Sequence, residues 1–364
     1  MKRIETEINE LYFNRIQMGR KIKVPANVSG APNLIPFWGY PCEEHQVVTQ
    51  DGYHITLFRI PYSRKSTTTS PSPYPVILWH GLANCSSLFV AGCPESSLAF
   101  VLSDAGYDVW LANARGSMYS QTHEWFDLNN RYDAQEYWNY SIDEMAKYDV
   151  PSVVDYVLKF SVSPTVSYIG FSQGTAKMIA ALSINEELND KVNHFIALAP
   201  AMKPKKIKNQ SFTNIMNYFG AELLYWILGS HSFISLAEYL PKISLAVNRF
   251  LIRWFVQLVL HWQMEKFGDY DRQLKLYEHL FSTTSVQNFV HWFQIINNES
   301  FSTFQSHPER NSIEYPTKNI RTKMSLFCGC NDNISDPEYL RSQLPKHAEF
   351  YFVDYEHLVI DNTD

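Results

Sequence analysis

Two rhythms of apolar and polar positions alternate along the chain. His45 to Thr49 and His54 to Ile60 lie on either side of Asp51-Gly52 and read as two strands joined by a tight turn. Pro75 to Trp79, Tyr107 to Ala112, Val166 to Gly170, His194 to Leu198, Met324 to Cys328 and Phe350 to Val353 are short apolar runs of strand character. Asp143 to Phe160 and Ala176 to Leu188 carry helical spacing instead. Strands that alternate with helices predict an α/β fold with a mostly parallel central sheet covered on both faces.

One stretch breaks the alternation. From Lys203 to Ser312 no convincing strand is read, and the sequence is helical, aromatic and rich in Leu and Ile. Its place between a sheet strand and the last two strands predicts an inserted helical cap over the carboxyl edge of the sheet. The expected organisation is an N-terminal segment at 1–38, a first part of the core at 39–202, a cap or lid at 203–312 and a second part of the core at 313–364. Ile243 to Trp262 has the length to span a bilayer, but Asn248, Arg249, Arg253, Gln257 and His261 interrupt it. It is read as a buried or amphipathic cap helix, with an interfacial membrane helix and a spanning segment as alternatives. No internal repeat is visible, and Ser66 to Pro75 reads as a surface loop.

Composition narrows the function classes. The chain has 364 residues, of which 45% are hydrophobic, so a sizeable core can form. Its 23 Phe, 22 Tyr and 9 Trp fill that core for the most part, and some are candidates to line an apolar pocket or touch lipid. A net charge of −6 without a basic face argues against nucleic-acid binding. Cys42, Cys85, Cys93, Cys328 and Cys330 are odd in number and scattered, unlike a disulfide framework. Cys328 and Cys330 lack a matching second pair, so no metal site is expected. Charges break up the first residues, Met1 to Lys23, which excludes a continuous secretory signal core there and leaves a removed or incomplete N-terminus open. Asn84-Cys85-Ser86 and Asn333-Ile334-Ser335 match the glycosylation pattern. A glycan at either would obstruct the site proposed below, which favours an intracellular chain over a secreted or lysosomal one.

The chemistry centres on Gly170-Phe171-Ser172-Gln173-Gly174. A strand, a sharp turn at serine and a helix form the nucleophile elbow of the α/β-hydrolase fold. The glycines remove side chains that would collide in the turn, and Ser172 is then presented at the sheet edge. The N–H of Gln173 opens the following helix, where unsatisfied donors favour a developing oxyanion. In this fold the acid and then the histidine follow the serine in sequence. His357, just after the last strand, is the expected base. The loop Cys328 to Pro337 offers Asp332 and Asp336; Asp336-Pro337 looks like a helix start, so Asp332 is the expected acid. In His80-Gly81-Leu82-Ala83-Asn84 the glycine lets the backbone approach an acyl group, and the N–H of Leu82 is the expected second oxyanion donor.

These residues resemble the acid lipase family, which includes gastric lipase, lysosomal acid lipase and the fungal steryl ester hydrolases. The resemblance runs from Gly39 to His357. It is carried by Gly39-Tyr40-Pro41 with Glu43-Glu44-His45, Asp51-Gly52-Tyr53, His80-Gly81-Leu82, and Trp110 to Gly116. Tyr137 to Ser141 with Asp143 to Ala146 and Tyr148-Asp149 follows, then Leu198 to Ala201, His291 to Ile296, Asn331-Asp332 and Asp336-Pro337. It implies Ser172, Asp332 and His357 as triad, Leu82 and Gln173 as oxyanion donors, and no cofactor. Phe171, where gastric and lysosomal members carry His, together with Gly174-Thr175 is similar to the fungal steryl ester hydrolases. The family usually has Asp two residues after the catalytic histidine, where this chain has Val359; the chain ends seven residues after His357, and truncation is one explanation.

The expected activity is therefore hydrolysis of neutral lipid esters, steryl esters or triacylglycerols, at a lipid droplet or membrane surface. The chain would be peripheral to that surface, with Lys203, Lys205, Lys206 and Lys208 as a candidate contact for anionic lipid. The alternatives are a soluble carboxylesterase or thioesterase, and a catalytically silent lipid-binding protein on the same fold.

Overall fold

A computed structural model describes residues 24–25, 28–205, 232–233, 282–307, 311–332 and 334–353. Most of the expected cap, including Ile243 to Trp262, and His357 lie outside the described residues.

The strands are β1 (Glu43–Val48), β2 (Tyr53–Ile60), β3 (Pro75–Trp79), β4 (Asp108–Ala112), β5 (Thr122–His123), β6 (Val166–Phe171), β7 (Val192–Leu198), β8 (Ser232–Phe233), β9 (Thr284–Ser285), β10 (Met324–Gly329) and β11 (Glu349–Val353). The main sheet runs β1-β2-β4-β3-β6-β7-β10-β11, with β5 pairing β2. β1 and β5 pair β2 antiparallel, as β4 does, and every other pairing in that sheet is parallel. This is the expected mostly parallel sheet.

Period-two alternation sorts its side chains into two cores. Ile77, Trp79, Trp110, Ala112, Tyr168, Phe195, Ala197, Leu326 and Cys328 face one cluster. Their neighbours Val76, Leu78, Val109, Leu111, Ile169, Phe171, Ile196, Leu198 and Phe327 face the other. The first is covered by α4 (Val150–Ser161) and α5 (Gln173–Ile184), through Val150, Val153, Val154, Val157, Ala176, Met178, Ile179 and Ala180. The second is covered by α1 (Ala31–Phe37) and α2 (Leu98–Asp104). Each large apolar side chain so buried contributes roughly 1.5–3 kcal/mol, and successive Cβ atoms on opposite faces are what allow both layers to form.

The helical span expected from Asp143 to Phe160 is present but not uniform. It starts at Ser141 with a capping box: the Ser141 side chain accepts from the Asp143 N–H at 3.1 Å and Glu144 accepts from the Ser141 N–H at 2.6 Å. A π-helical turn at Met145–Asp149 then precedes α4, and Asp149 is fully buried. The helix expected over Ala176 to Leu188 starts earlier, at Gln173, and divides at Asn185, which caps α6 (Glu186–Lys191) by accepting from the Leu188 N–H at 3.1 Å. Further helices are α3 (Arg131–Tyr137), α7 (Val286–Asn298), which follows β9, and α8 (Pro337–Gln343), which lies between β10 and β11 in the chain.

The reading that no strand occurs between Lys203 and Ser312 is corrected by the antiparallel pair β8–β9. A ladder of two residues per strand is too short to carry an alternating pattern.

Candidate active site

All six residues of β6 are buried, and the strand lies between β3 and β7 with parallel pairing to both. At its end Ser172 adopts φ 51°, ψ −118°, a conformation costly for any residue with a Cβ. The surroundings hold it there. The Ser172 N–H donates to the Leu198 carbonyl at 3.0 Å, and the Ser172 carbonyl accepts from the Thr175 N–H at 2.8 Å and the Thr175 hydroxyl at 2.6 Å. Two glycines make the turn sterically possible. A Cβ at Gly170 would meet the Gly174 backbone at 2.7 Å, and one at Gly174 would collide with the Trp79 carbonyl.

The loop after β3 closes on this turn. A Cβ at Gly81 would stand 3.0 Å from Ser172 Cβ and 3.3 Å from Phe171 Cδ1, so the backbone leading into Leu82 runs directly against the serine. Among the described residues the N–H groups of Leu82 and Gln173 donate to no acceptor. His80 fixes this loop. Its Nε2 accepts from the Ala114 N–H at 3.0 Å, so Nδ1 carries the proton and donates to the Gly81 carbonyl at 2.8 Å. Burial, reinforced by nearby Lys177, pushes the His80 pKa down to about 3, which keeps the ring neutral. Asn84, one of the two glycosylation matches, is buried and accepts from the Cys85 N–H at 2.7 Å; Asn333 lies outside the described residues.

The two candidate acids take different roles. Asp336 caps α8, accepting from the Tyr339 N–H at 3.2 Å, and pairs with Lys203 at 3.3 Å. Asp332 is buried after β10 and accepts from the N–H groups of Ile334 and Ser335 at 2.7 and 3.0 Å, both on Oδ1. Ser335 in turn donates to the Pro200 carbonyl at 2.8 Å, tying this loop to the one after β7. Lys205 donates to the Asp332 carbonyl at 3.4 Å. Lys203 and Lys205 thus both contact the acid loop, and Lys206 and Lys208 lie outside the described residues. β11 pairs β10 in parallel and ends at the same edge, with Gly329 opposite Val353; His357 follows four residues later.

The carboxyl edge of the sheet thus carries Ser172, Gly81-Leu82 and Asp332 on neighbouring loops. No group of residues suited to hold a metal ion occurs among the described residues, and no helix among them is long and apolar enough to cross a membrane.

Residues 74–363 match the family model of the alpha/beta hydrolase fold, and residues 31–93 match that of the partial alpha/beta-hydrolase lipase region. Human gastric triacylglycerol lipase is 32% identical over 95% of this chain and 89% of its own length. A protein of Schizosaccharomyces pombe named "Probable lipase" is 37% identical over 88% of this chain and 73% of its own. Among solved structures, the thioesterase domain from the curacin biosynthetic pathway superposes with a TM-score of 0.53 at 14% identity, covering 88% of this chain and 95% of that one. That last likeness speaks to the fold alone. The chain belongs to the acid lipase family. It is a carboxylic ester hydrolase.

In this acid lipase, motifs far apart in sequence meet in one buried cluster. The Arg115 guanidinium donates to Asp149 through Nε at 2.9 Å and to Asp51 through Nη1 and Nη2 at 2.7 and 3.1 Å. It lies 3.9 Å from the centroid of Tyr53. Tyr140 donates to the Arg115 carbonyl at 2.9 Å, and a side chain at Gly116, φ 75°, would strike that tyrosine. So Asp51-Gly52-Tyr53, Arg115-Gly116, Tyr140 and Asp149 form a single support behind the site. The sequence showed these pieces only as separate motifs. Two further groups carried no signal for a role at the site: Lys177, buried without a hydrogen-bond partner 3.8 Å from the centroid of Trp79, and Trp292, whose indole N–H reaches Gln173 at 2.6 Å.

Proposed function

We propose that this acid lipase hydrolyses neutral lipid esters, steryl esters or triacylglycerols, by a Ser172–His357–Asp332 triad and an acyl-enzyme intermediate. The observation that carries the reading is the over-determined turn at Ser172, with Gly81 packed against it. Ser172 Oγ attacks the ester carbonyl while His357 takes its proton, and Asp332 holds the imidazole in the required tautomer. The N–H groups of Leu82 and Gln173 receive the oxyanion; each such donor typically lowers the barrier by about 3–4 kcal/mol. His357 then protonates the leaving alcohol and activates water to release the fatty acid.

The substrate class rests on the names of the relatives and on Phe171, the residue similar to the fungal steryl ester hydrolases. Residues 203–312 serve as the cap that admits the ester, and the enzyme works at a lipid droplet or membrane surface inside the cell.

The test is Ser172→Ala. Turnover should fall by at least about 10⁴-fold with the fold intact, and fluorophosphonate labelling should vanish; residual activity within tenfold of wild type refutes the nucleophile. Asp332→Asn should cost about 10⁴-fold, whereas Asp336→Asn should chiefly cost helix capping, about 1 kcal/mol of stability or less. Comparing cholesteryl oleate with triolein, below and above substrate solubility, separates a sterol esterase from a triacylglycerol lipase and both from a soluble esterase.

A further inference from the structure

We infer that Trp292 and Asn288 are positioning residues for the oxyanion site, acting through the side chain of Gln173. The inference rests on the proposed role of the Gln173 N–H. Gln173 is the first residue of α5, and its N–H has no intrahelical acceptor. The plane of the Ser172–Gln173 peptide, and hence the direction of that N–H, follows from the strained ψ of Ser172 and from whatever anchors Gln173. The anchor is its buried side chain. Oε1 accepts from Trp292 Nε1 at 2.6 Å and from Asn288 Nδ2 at 3.2 Å, and Nε2 lies 3.7 Å from Met145 Sδ.

The anchoring helix is itself fixed. Asn288 donates through its N–H to Ser285 Oγ at 2.9 Å and through Nδ2 to Thr284 Oγ1 at 2.9 Å. Ser285 donates to the Tyr140 carbonyl at 2.5 Å. The same run reaches the other oxyanion donor. The Ser282 N–H donates to the carbonyl of Ala83, the residue after Leu82, at 2.8 Å, and Ser282 Oγ accepts from the Met118 N–H at 2.6 Å. Ala83 is held at φ 50°. One stretch of chain, residues 282–292, therefore braces both loops that supply the proposed oxyanion donors. It contacts the Gln173 side chain and the Ala83 carbonyl rather than the donor N–H groups themselves, so it sets donor direction through them.

Trp292→Phe tests this, because it keeps an aromatic ring in place and removes the indole N–H, and Gln173→Met controls for the smaller ring. With soluble p-nitrophenyl butyrate, kcat should fall about 10- to 100-fold while KM stays within about twofold, the signature of a donor misaligned in the transition state. Affinity for an alkyl trifluoromethyl ketone, which forms a tetrahedral adduct with the serine, should fall by the same factor as kcat/KM. The thermal midpoint should move by only a few degrees. Gln173→Met removes the acceptor but keeps the backbone N–H; it should lower kcat similarly, and the double variant should be no worse than the single ones. Should Trp292→Phe not fold, Gln173→Met carries the test alone. Wild-type kcat in either folded variant, additive losses, or unchanged ketone affinity overturns the inference. Ser172→Ala separates the two levels: if it retains turnover, the catalytic reading and this inference both fall; if it is inert while Trp292→Phe is unimpaired, only the bracing role is lost.

Discussion

At the amino end of β4, Arg59 lies 4.7 Å from the centroid of Trp110 and donates to both oxygens of Asp108, at 2.8 and 3.1 Å. Asp108 also accepts from Trp110 Nε1 and Ser161 Oγ, and Glu43 takes the remaining face of the guanidinium at 3.0 Å. Just beyond the carboxyl end of the same strand, Arg115 is stacked on Tyr53 and paired with Asp51 and Asp149. The chemistry is alike, but the pairing is not. Asp149 Oδ2 and Lys177 Nζ are buried there without a hydrogen-bond partner. Burial pushes the Lys177 ammonium well below its usual pKa and raises that of Asp149. Each unsatisfied buried group costs about 1–3 kcal/mol. The Arg59 cluster is fully paired, whereas the Arg115 cluster leaves two buried polar atoms unpaired beside the helix that presents Ser172. Local compromise at a functional edge, supported by a well-satisfied remainder, is a common division of labour in enzymes.

The largest effect that would sharpen this contrast is expected from Asp108→Ala. It strands a buried guanidinium and should cost about 3–5 kcal/mol in urea unfolding, while the kcat of the folded fraction stays near wild type. A loss below about 1 kcal/mol would erase the difference between the two ends.

Lys177→Met goes the other way. It replaces an unpartnered buried ammonium with an apolar chain of similar length against Trp79, and should stabilise by about 1–2 kcal/mol. Destabilisation of that size would mean that the lysine is satisfied after all.

The smallest and most diagnostic effect is in the pH dependence. Lys177 binds its proton less readily in the folded state, so wild-type stability should rise with pH toward 10.5, by at most about 1.4 kcal/mol per unit. Lys177→Met should remove that rise on the alkaline side, below about pH 10.5. On the acid side His80 acts with the same sign. Its folded pKa of about 3 lies below the unfolded 6.5, so its contribution is intact above 6.5 and is lost progressively as pH falls toward 3. His80→Gln should flatten that part of the profile. Identical profiles for wild type and both variants would break the account of the carboxyl end.

Much of this fold was legible because it is local. β3 runs over the expected Pro75 to Trp79, and β6 and β10 each extend one residue past the expected end, since buried parallel strands read as uninterrupted apolar runs. The capping role of Asp336 was also readable, because a proline after an aspartate announces a helix start. The part that stayed hidden is long-range. α1 holds two prolines, Pro32 and Pro36, so local propensity argues against it and tertiary packing decides. The bond from Trp292 to Gln173 spans 119 residues, and an aromatic stripe on a helix carries no mark of which amide it will meet. Likewise Lys177 sits in a helical pattern in which a lysine ordinarily faces water.

The backbone N–H of Ser172 continues the β6–β7 ladder by bonding Leu198, and the N–H of Ala199 continues the β7–β10 ladder by bonding the Phe327 carbonyl at 3.0 Å. The residue at the turn is thus a rung of the sheet rather than an ornament on a free loop. A partly melted sheet has no means of keeping such a residue in register, so reactivity and architecture should disappear together on heating, and an ester assay on this protein doubles as a thermometer of its core.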